Sequence, residues 1–297
     1  MGAFAFEVGV QSVQIAPVSN VIATPQLEPV QAARYLANTT TQAGDSEPLR
    51  MGINADGPMI VLVIDDVGVD GDNSARAINL AQPVTISILP YAENASGLDA
   101  MARMRDHETF IHLPMEPEGL ADPGPHALTR HLSPEDTSAR VHWAIEQVPG
   151  ATGLNNHMGS AVTRDAARMR TILAPLVGRD LVFLDSLTAP DSRAYAVARD
   201  LGLRALRRDV FIDHENSERA ISDRLIEIER HADETGFVIA IGHPRNLTMD
   251  ALEAWIPDAV SRGYRFVTVS QLVAAQSNAP VRSAALNEIM SLGGGAE

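Results

Sequence analysis

The chain contains no cysteine among its 297 residues. Disulfide bonds, thiolate zinc sites and cysteine nucleophiles are therefore excluded, and any bound metal must be held by Asp, Glu or His. Only 4% of the residues are aromatic, which counts against an extended platform for stacking sugar rings. Positive charge is also scarce. The formal net charge of −15 argues against nucleic acid as a partner, because phosphate backbones attract basic surfaces.

Long apolar runs are missing as well. No stretch of about 18 apolar residues is present, so no membrane insertion is visible, and no basic segment followed by an apolar one indicates a signal peptide. Residues 1–57 carry scattered Pro, Thr, Gln, Ala and Asn without a regular period, which predicts a disordered linker or tether. Residues 277–297 are predicted to form a flexible C-terminal tail.

Residues 58–276 alternate short apolar runs with longer amphipathic stretches. The apolar runs are "MIVLVIDD", "VTISILP", "TFIHLP", "TGLNNH", "LVFLDS", "RDVFID", "FVIAIGH" and "RFVTVS". Helical patterns such as "PEDTSARVHWAIEQV" and "SERAISDRLIEIERHADETG" lie between them. Strands that alternate with helices predict a parallel sheet, because a crossover helix returns the chain to a parallel neighbour. The predicted fold class is α/β, in one large domain.

Most of the apolar runs end in a polar side chain that is able to do chemistry. In chain order these residues are Asp65, Asp66, His112, Asn155, Asn156, His157, Asp185, Asp209, Asp213 and His243. In parallel α/β folds the carboxyl ends of the strands share one face, and functional sites are built there. We therefore expect these residues to converge in space.

Each residue also has a purely structural interpretation. A single acid after a strand commonly caps the next helix, which is an equal alternative for Asp185. Two adjacent carboxylates, Asp65 and Asp66, are harder to explain in this way, because they repel each other unless a proton or a cation lies between them. Among the histidines, His107 is expected at the solvated surface, together with His126, His131 and His142.

Carboxylate and neutral imidazole are the ligands that Zn(II) prefers in the absence of thiolates, and they also suit Fe(II), Co(II) and Ni(II). Three such ligands leave a coordination position open for water. A metal held in this way lowers the pKa of its water and polarises a carbonyl group, while a nearby carboxylate and imidazole move protons. The strand-end residues supply all of these roles, so the sequence predicts a hydrolytic metal site.

The strand-end motifs "VIDDVG", "ISILPY", "HLPMEP", "NNHMGS", "FLDS", "RDVFID" and "IGHP", in this order, resemble the divergent polysaccharide deacetylase family of bacteria. This family is distantly related to the NodB-type carbohydrate esterases. The resemblance covers residues 58–274. It implies a distorted (β/α)7 barrel of parallel strands with outer helices, a glycan substrate, and one divalent metal, with Zn(II) as the first choice, at the carboxyl ends of the strands.

The resemblance also implies roles for individual residues. Asp65 corresponds to the general base of the esterases and His243 to their general acid, whereas Asp66 and His112 correspond to metal ligands. The third ligand is either Glu116, in "HLPME", or His157, which we prefer because its neighbours are small and polar. Five residues are assigned to substrate binding or support: Glu116, Asn155, Asn156, Asp185 and Asp209. Of these, Asp185 or Asp209 is expected to orient His243 or to bind substrate. The RxPY-like motif of the esterases is not evident.

The sequence therefore predicts a metal-dependent hydrolase that removes N-acetyl, or alternatively O-acetyl, groups from a cell-envelope glycan. The alternative is a catalytically weak or inactive domain that binds a glycan or an envelope partner. Glycoside hydrolysis by two carboxylates is less favoured because it leaves the strand-end histidines without a role. The glycan connection of the family predicts a periplasmic or envelope-associated location.

Overall fold

The computed structural model describes residues 57–278. The predicted linker and the predicted tail lie outside this range, except for the residues at its edges. The strands are β1 (Met59–Val67), β2 (Thr85–Ile88), β3 (Glu108–Met115), β4 (Gly153–Met158), β5 (Val182–Asp185), β6 (Arg204–Arg207), β7 (Val210–Phe211), β8 (Phe237–Gly242) and β9 (Arg265–Phe266). The helices are α1 (Gly71–Ile78), α2 (Ala95–Arg103), α3 (Pro134–Gln147), α4 (Ala166–Leu173), α5 (Ala194–Asp200), α6 (Glu218–Thr235), α7 (Asn246–Ser261) and α8 (Val269–Asn278).

Every ladder between these strands is parallel, and the strand order is β6-β5-β4-β3-β2-β1-β8-β7, with β9 on β1. Strands β6 and β7 lie at opposite ends of this order, yet only Arg208 and Asp209 separate them in the chain. Because three peptide links span at most about 11 Å, the two sheet edges must curl towards each other. Strands β6 and β7 thus act as one strand that changes neighbours, which gives seven principal strands. The predicted α/β barrel-like fold is confirmed.

The core has two apolar layers, one on each face of the sheet. In β1, Ile60, Leu62 and Ile64 pack under the outer helices, whereas Met59, Val61 and Val63 face the inside of the curled sheet together with α8. Burial on both faces explains the unbroken apolar run of this strand, since parallel strands under helices need no polar face. The strand ends are therefore held on a rigid base.

Two helices and one strand were not predicted. Helix α1 begins where the Asp70 side chain accepts a hydrogen bond from the Asn73 backbone N–H, which is a typical N-cap. Helix α8 begins inside the predicted strand "RFVTVS", because its first N–H groups donate to Thr85 Oγ1 and to the buried carboxylate of Glu108. These partners are distant in sequence, so no local pattern reveals them. Strand β6 is short and partly exposed, and lacks a clear apolar run.

His107 is not at the surface as expected, but buried. Its Nδ1 accepts a hydrogen bond from the Val84 backbone N–H at 3.3 Å, and its Nε2 therefore carries the proton that it donates to the Ile78 carbonyl at 2.9 Å. The ring joins the end of α1 to the start of β2. Burial lowers the pKa of His107, because the charged form would lose water and the Nδ1 acceptor.

This histidine predicts a specific pH dependence of stability. Because the pKa of His107 is lower in the folded chain than its ordinary value of 6.5, the unfolded chain binds more protons below that pH, and folding loses free energy as the pH falls. We expect the unfolding free energy of the wild type to decline more steeply than that of a His107→Gln variant from pH 7 to pH 5. The extra slope is at most about 1.4 kcal/mol per pH unit. Unfolding free energies from urea titrations that fall with the same slope in the wild type and in His107→Gln would contradict this prediction.

Within residues 57–278, none of the helices combines the length and the apolar character that crossing a lipid bilayer requires.

Candidate functional site

The Asp65–Asp66 pair lies where β1 changes direction. Asp66 has a left-handed backbone, with φ of +57°, and the register between β1 and β2 shifts between Ile64 and Val67. Side chains on a regular strand alternate between faces, so this distortion is what lets adjacent carboxylates serve one site. Gly68 completes the turn, and a Cβ there would lie 2.4 Å from the Cβ of Ala92. The turn therefore begins at Asp66, two residues before Gly68.

Three ligand atoms, from strands β1, β3 and β4, converge beside this turn. Asp66 Oδ1 lies 2.8 Å from His157 Nδ1 and 3.2 Å from His112 Nε2, and the two ring nitrogens are 3.2 Å apart. Strands β3 and β4 are paired directly, which places their histidines side by side. Asp66, His112 and His157 form a group able to hold a metal ion.

The environment of these atoms fits a metal rather than a set of ordinary hydrogen bonds. Asp66 Oδ1 is buried and has no hydrogen-bond partner of good geometry, despite the two nearby nitrogens. Separations of 2.8–3.2 Å approach the edge of a tetrahedral zinc site, about 3.3 Å for ligands at 2.0–2.1 Å from the ion. One carboxylate and two imidazoles leave a fourth position for water or substrate.

Glu116 does not reach this group. Its carboxylate accepts hydrogen bonds from the Arg130 side chain at 2.8 and 3.1 Å and from the Arg130 backbone N–H at 2.7 Å. Glu116 lies just beyond β3, whereas His157 is in β4, in register with the residue two positions after His112. Of the two alternatives for the third ligand, the structure brings His157 to the group.

Asn155 connects the proposed base to a proposed ligand. Its Nδ2 donates to Asp65 Oδ1 at 2.8 Å, and its Oδ1 lies 2.9 Å from His112 Nδ1. Ser87 Oγ also donates to Asn155 Oδ1, which fixes the orientation of the amide. The N–H on His112 Nδ1 is thereby held towards Asn155, and Nε2 is the ring nitrogen that faces Asp66 and would bind a metal.

His243 approaches the group from β8. Its Nε2 lies 3.8 Å from Asp66 Oδ2, and its Nδ1 is 2.8 Å from Asp213 Oδ1. Asp213 is fully buried and also accepts from the His243 backbone N–H and from Thr248 Oγ1. Asp213 therefore orients this histidine, a role that the sequence assigned to Asp185 or Asp209. The sequence feature that could have identified Asp213 is its position at the end of the apolar run "RDVFID".

The remaining predicted residues support the surrounding loops. Asp185 is buried and accepts from Leu187 N, Ser192 Oγ and Tyr195 N, which holds the loop before α5. Asp209 Oδ2 accepts from the Ile239 backbone N–H at the change of strand between β6 and β7. Neither acid contacts the three-atom group. Asn156 accepts from Ser186 N and donates to the Met158 carbonyl, beside the cleft.

The charges of the site stabilise one another. Although burial opposes it, contact with the imidazoles of His112 and His157 lowers the pKa of Asp66 far below its ordinary range. The carboxylates of Asp65 and Asp66 outweigh burial and raise the pKa of His112 to about 9. Asp213 likewise overcomes burial and raises the pKa of His243. Positive charge, whether proton or cation, is therefore favoured between the acids.

A family model for divergent polysaccharide deacetylases matches residues 62–273. The chain belongs to this family. The resemblance drawn from the strand-end motifs is thus confirmed over nearly the same residues.

Two relatives and one crystal structure are similar to this chain. It is 30% identical over 200 residues to the uncharacterized protein YibQ of Escherichia coli (strain K12), covering 66% of this chain and 62% of YibQ. It is 33% identical over 195 residues to an uncharacterized protein of Haemophilus influenzae, covering 66% of this chain and 70% of that protein. The crystal structure of uncharacterized protein ATU2773 from Agrobacterium tumefaciens C58 is similar with a TM-score of 0.71 and 25% identity, over 75% and 92% of the two chains.

The candidate site of this family member lies in a cleft of about 410 Å³ at the carboxyl ends of the strands. Two residues that line the cleft, Met158 and Leu187, have left-handed backbones with φ of +52° and +51°. Such conformations are costly for residues with a side chain and concentrate at functional sites. Further lining residues are Thr188, Arg208, Phe211, His214 and Arg245.

Proposed function

We propose that the protein is a metal-dependent hydrolase that removes acetyl groups from a cell-envelope glycan, with N-acetyl groups as the principal substrate and O-acetyl groups as the alternative. The observation that carries this proposal is the convergence of Asp66, His112 and His157, flanked by Asp65 and His243. Membership of a polysaccharide deacetylase family supports the assignment of a carbohydrate as the substrate.

The three converging side chains would hold one divalent metal, with Zn(II) the first choice for two imidazoles and a carboxylate. When bound, such a metal lowers the pKa of water and polarises the acyl carbonyl. The buried, unpartnered Asp66 Oδ1 supports the assignment. Asn155 keeps the lone pair of His112 available by holding the proton on its other nitrogen.

Asp65 is suited to the role of general base. Its Oδ1 is occupied by Asn155, whereas its Oδ2 faces the ligand group and lies 3.7 Å from His112 Nε2. The free oxygen accepts the proton of the attacking water, which then adds to the acyl carbon. Asp65 takes no place among the three ligand atoms, so its second carboxylate oxygen stays available for this step.

His243 is suited to the role of general acid from the opposite side. Asp213 accepts a hydrogen bond from Nδ1, which orients the ring, and it raises the pKa of His243, which favours the protonated form that a general acid needs. Donation of that proton to the departing amine releases the sugar as acetate forms. Base and acid thus flank the place where the acyl group must lie.

We expect the purified protein, supplied with Zn(II), to release acetate from N-acetylated chitooligosaccharides or from peptidoglycan. Chelation should lower the rate to background, and added Zn(II) should restore it. Acetate and chain length are measured together, because glycosidic cleavage would shorten the chains. Equal acetate release with and without chelator would contradict metal dependence, and glycan binding without any release would favour the inactive binding domain.

We further propose that the protein works in the periplasm or at the envelope, because its proposed substrate lies there. Cell fractionation with an antibody against the chain tests this, and recovery with cytoplasmic markers alone would contradict it.

A further inference from the structure

We propose that the cleft selects glycans that carry a carboxylate close to the acetylated position, and that Arg245 binds this carboxylate with help from the field of Arg208. This inference rests on the proposed function and deepens it, because it names the class of sugar that the same site takes. It comes from the position of these two arginines on the wall of the cleft and from the backbone carbonyls that hold them there.

Arg245 lies at the wall of the cleft, with its side chain 44% exposed. Its Nη1 donates to the Asp213 backbone carbonyl at 2.9 Å, so that a neutral group anchors the guanidinium. The nearest carboxylate oxygen that it meets, Asp213 Oδ2, is 3.9 Å away and already accepts from His243 N and Thr248 Oγ1. The charge of Asp213 is thus shared with His243, and the outer nitrogens of Arg245 stay available to a ligand.

Arg208 is anchored in the same manner on another side of the cleft. Its Nε donates to the Ser186 carbonyl at 2.8 Å and its Nη2 to the Leu187 carbonyl at 3.1 Å. Within residues 57–278, no acidic side chain forms an ion pair with it at 4 Å or less. The nearby Asp65 contributes an attractive field without contact. Its guanidinium rests over the ring of Phe211, 5.1 Å from the centroid, which fixes the position of the charge.

Some arginines outside the cleft donate to backbone carbonyls, as Arg140 and Arg168 do, whereas others are neutralised by carboxylates. Arg76 pairs with Asp250 and Glu253, and Arg130 pairs with Glu116. The chain has no lysine, so arginines carry its fixed positive charge, and its net charge of −15 repels anions in general. The two guanidiniums that line one cleft are therefore a local concentration of positive charge on an acidic molecule.

The charges within the cleft support the same conclusion. Its acidic side chains are Asp65 and Asp66, whose two negative charges a divalent ion would balance. The two arginines then leave the cleft net positive. A guanidinium presents a planar pair of N–H donors that matches a carboxylate, and such charge-assisted bonds are stronger than those to neutral sugar hydroxyls. A carboxylate on the sugar is the chemistry that this arrangement recognises.

The test compares binding of three oligosaccharides of similar length by calorimetry at physiological salt, with the Zn(II)-loaded full chain. Chitotetraose is neutral. The first acidic probe is a peptide-free glycan whose acetylated sugars carry lactyl ethers, so that the carboxylate is on the acetylated sugar itself. The second is a hyaluronan tetrasaccharide, in which a neighbouring uronic acid carries the carboxylate. We expect at least one acidic oligosaccharide to bind about tenfold more tightly than chitotetraose, and the preferred one identifies the source of the carboxylate.

Variants locate the effect. Arg245→Gln should remove most of the tenfold preference, measured as the ratio of the dissociation constants of chitotetraose and the preferred acidic oligosaccharide, whereas Arg245→Lys, which keeps the charge, should retain part of it. Arg230→Gln is the matched control, because it removes the same charge from a surface pair with Glu234 on α6. Equal or tighter binding of chitotetraose, no binding of any acidic probe, or the same loss in Arg230→Gln would overturn the inference.

Acetate release is followed separately in the same samples. Selective binding without release would contradict the proposed function and leave the carboxylate preference standing. Release from all three oligosaccharides without selective binding would contradict the preference alone.

Discussion

Replacing Asp65 with asparagine is expected to lower acetate release by about 10²- to 10⁴-fold while the bound metal stays in place. Asparagine has the same shape, and its Oδ1 can still accept the hydrogen bond that Asn155 donates to Asp65 at 2.8 Å. What it loses is the second anionic oxygen, the only one free to take a proton from water. The measurements are the kcat for acetate release and the metal content per chain.

Asp209→Asn is a suitable control for this experiment. Like Asp65, Asp209 is an acid at a strand boundary, where it follows the segment "LRALRR". Its carboxylate accepts a hydrogen bond from the Ile239 backbone N–H and does not contact the ligand group. The amide oxygen of asparagine can take over that bond, so activity should change little. Full activity in the Asp65→Asn variant would rule out Asp65 as the base, and loss of metal in that variant would identify it as a ligand instead.

The fold was predictable because parallel strands under helices leave a strong local signature. Burial of both faces makes strands such as β1 continuous apolar runs, and the crossover rule then fixes their direction. Helix α8 was not predictable in this way. Its start depends on Thr85 and Glu108, which lie more than 160 residues away in the chain. The change from β6 to β7 was not predictable either, because it depends on the curling of the sheet, which brings its two edge strands close together.

The face that carries the site was predictable for a similar reason. Strand ends in a parallel sheet share an edge, so the polar residues after each run had to lie near one another. The choice of partners within that edge depends on register and backbone twist. The positive φ of Asp66, the pairing of β3 with β4, and the selection of Asp213 to hold His243 all come from tertiary structure.

The surface prediction for His107 failed because polar flanking residues do not report tertiary burial. The segment "RDHET" is polar in sequence, yet the ring fills a gap between α1 and β2 and satisfies two backbone groups there. A histidine that bonds only to backbone has no partner visible in the sequence.

Removing the imidazole of His157 is expected to lower the affinity for Zn(II) by at least about 100-fold, because changes in groups that merely support metal ligands already cost 10- to 100-fold. His157 Nδ1 is 2.8 Å from Asp66 Oδ1 and 3.2 Å from His112 Nε2, so its loss leaves two ligand atoms. The double variant His112→Ala and His157→Ala should contain no metal after dialysis. Competition with a chelator of known affinity gives the binding constants, and elemental analysis gives the content.

Glu116→Gln is the decisive companion, since Glu116 was the alternative third ligand. Its carboxylate is engaged by Arg130, so the substitution should leave metal affinity unchanged and act only on the segment around Arg130. Metal loss in Glu116→Gln with normal affinity in His157→Ala would reverse the assignment. Unchanged metal content in the double histidine variant would show that the ion binds elsewhere, because Asp66 alone cannot hold it against a chelator.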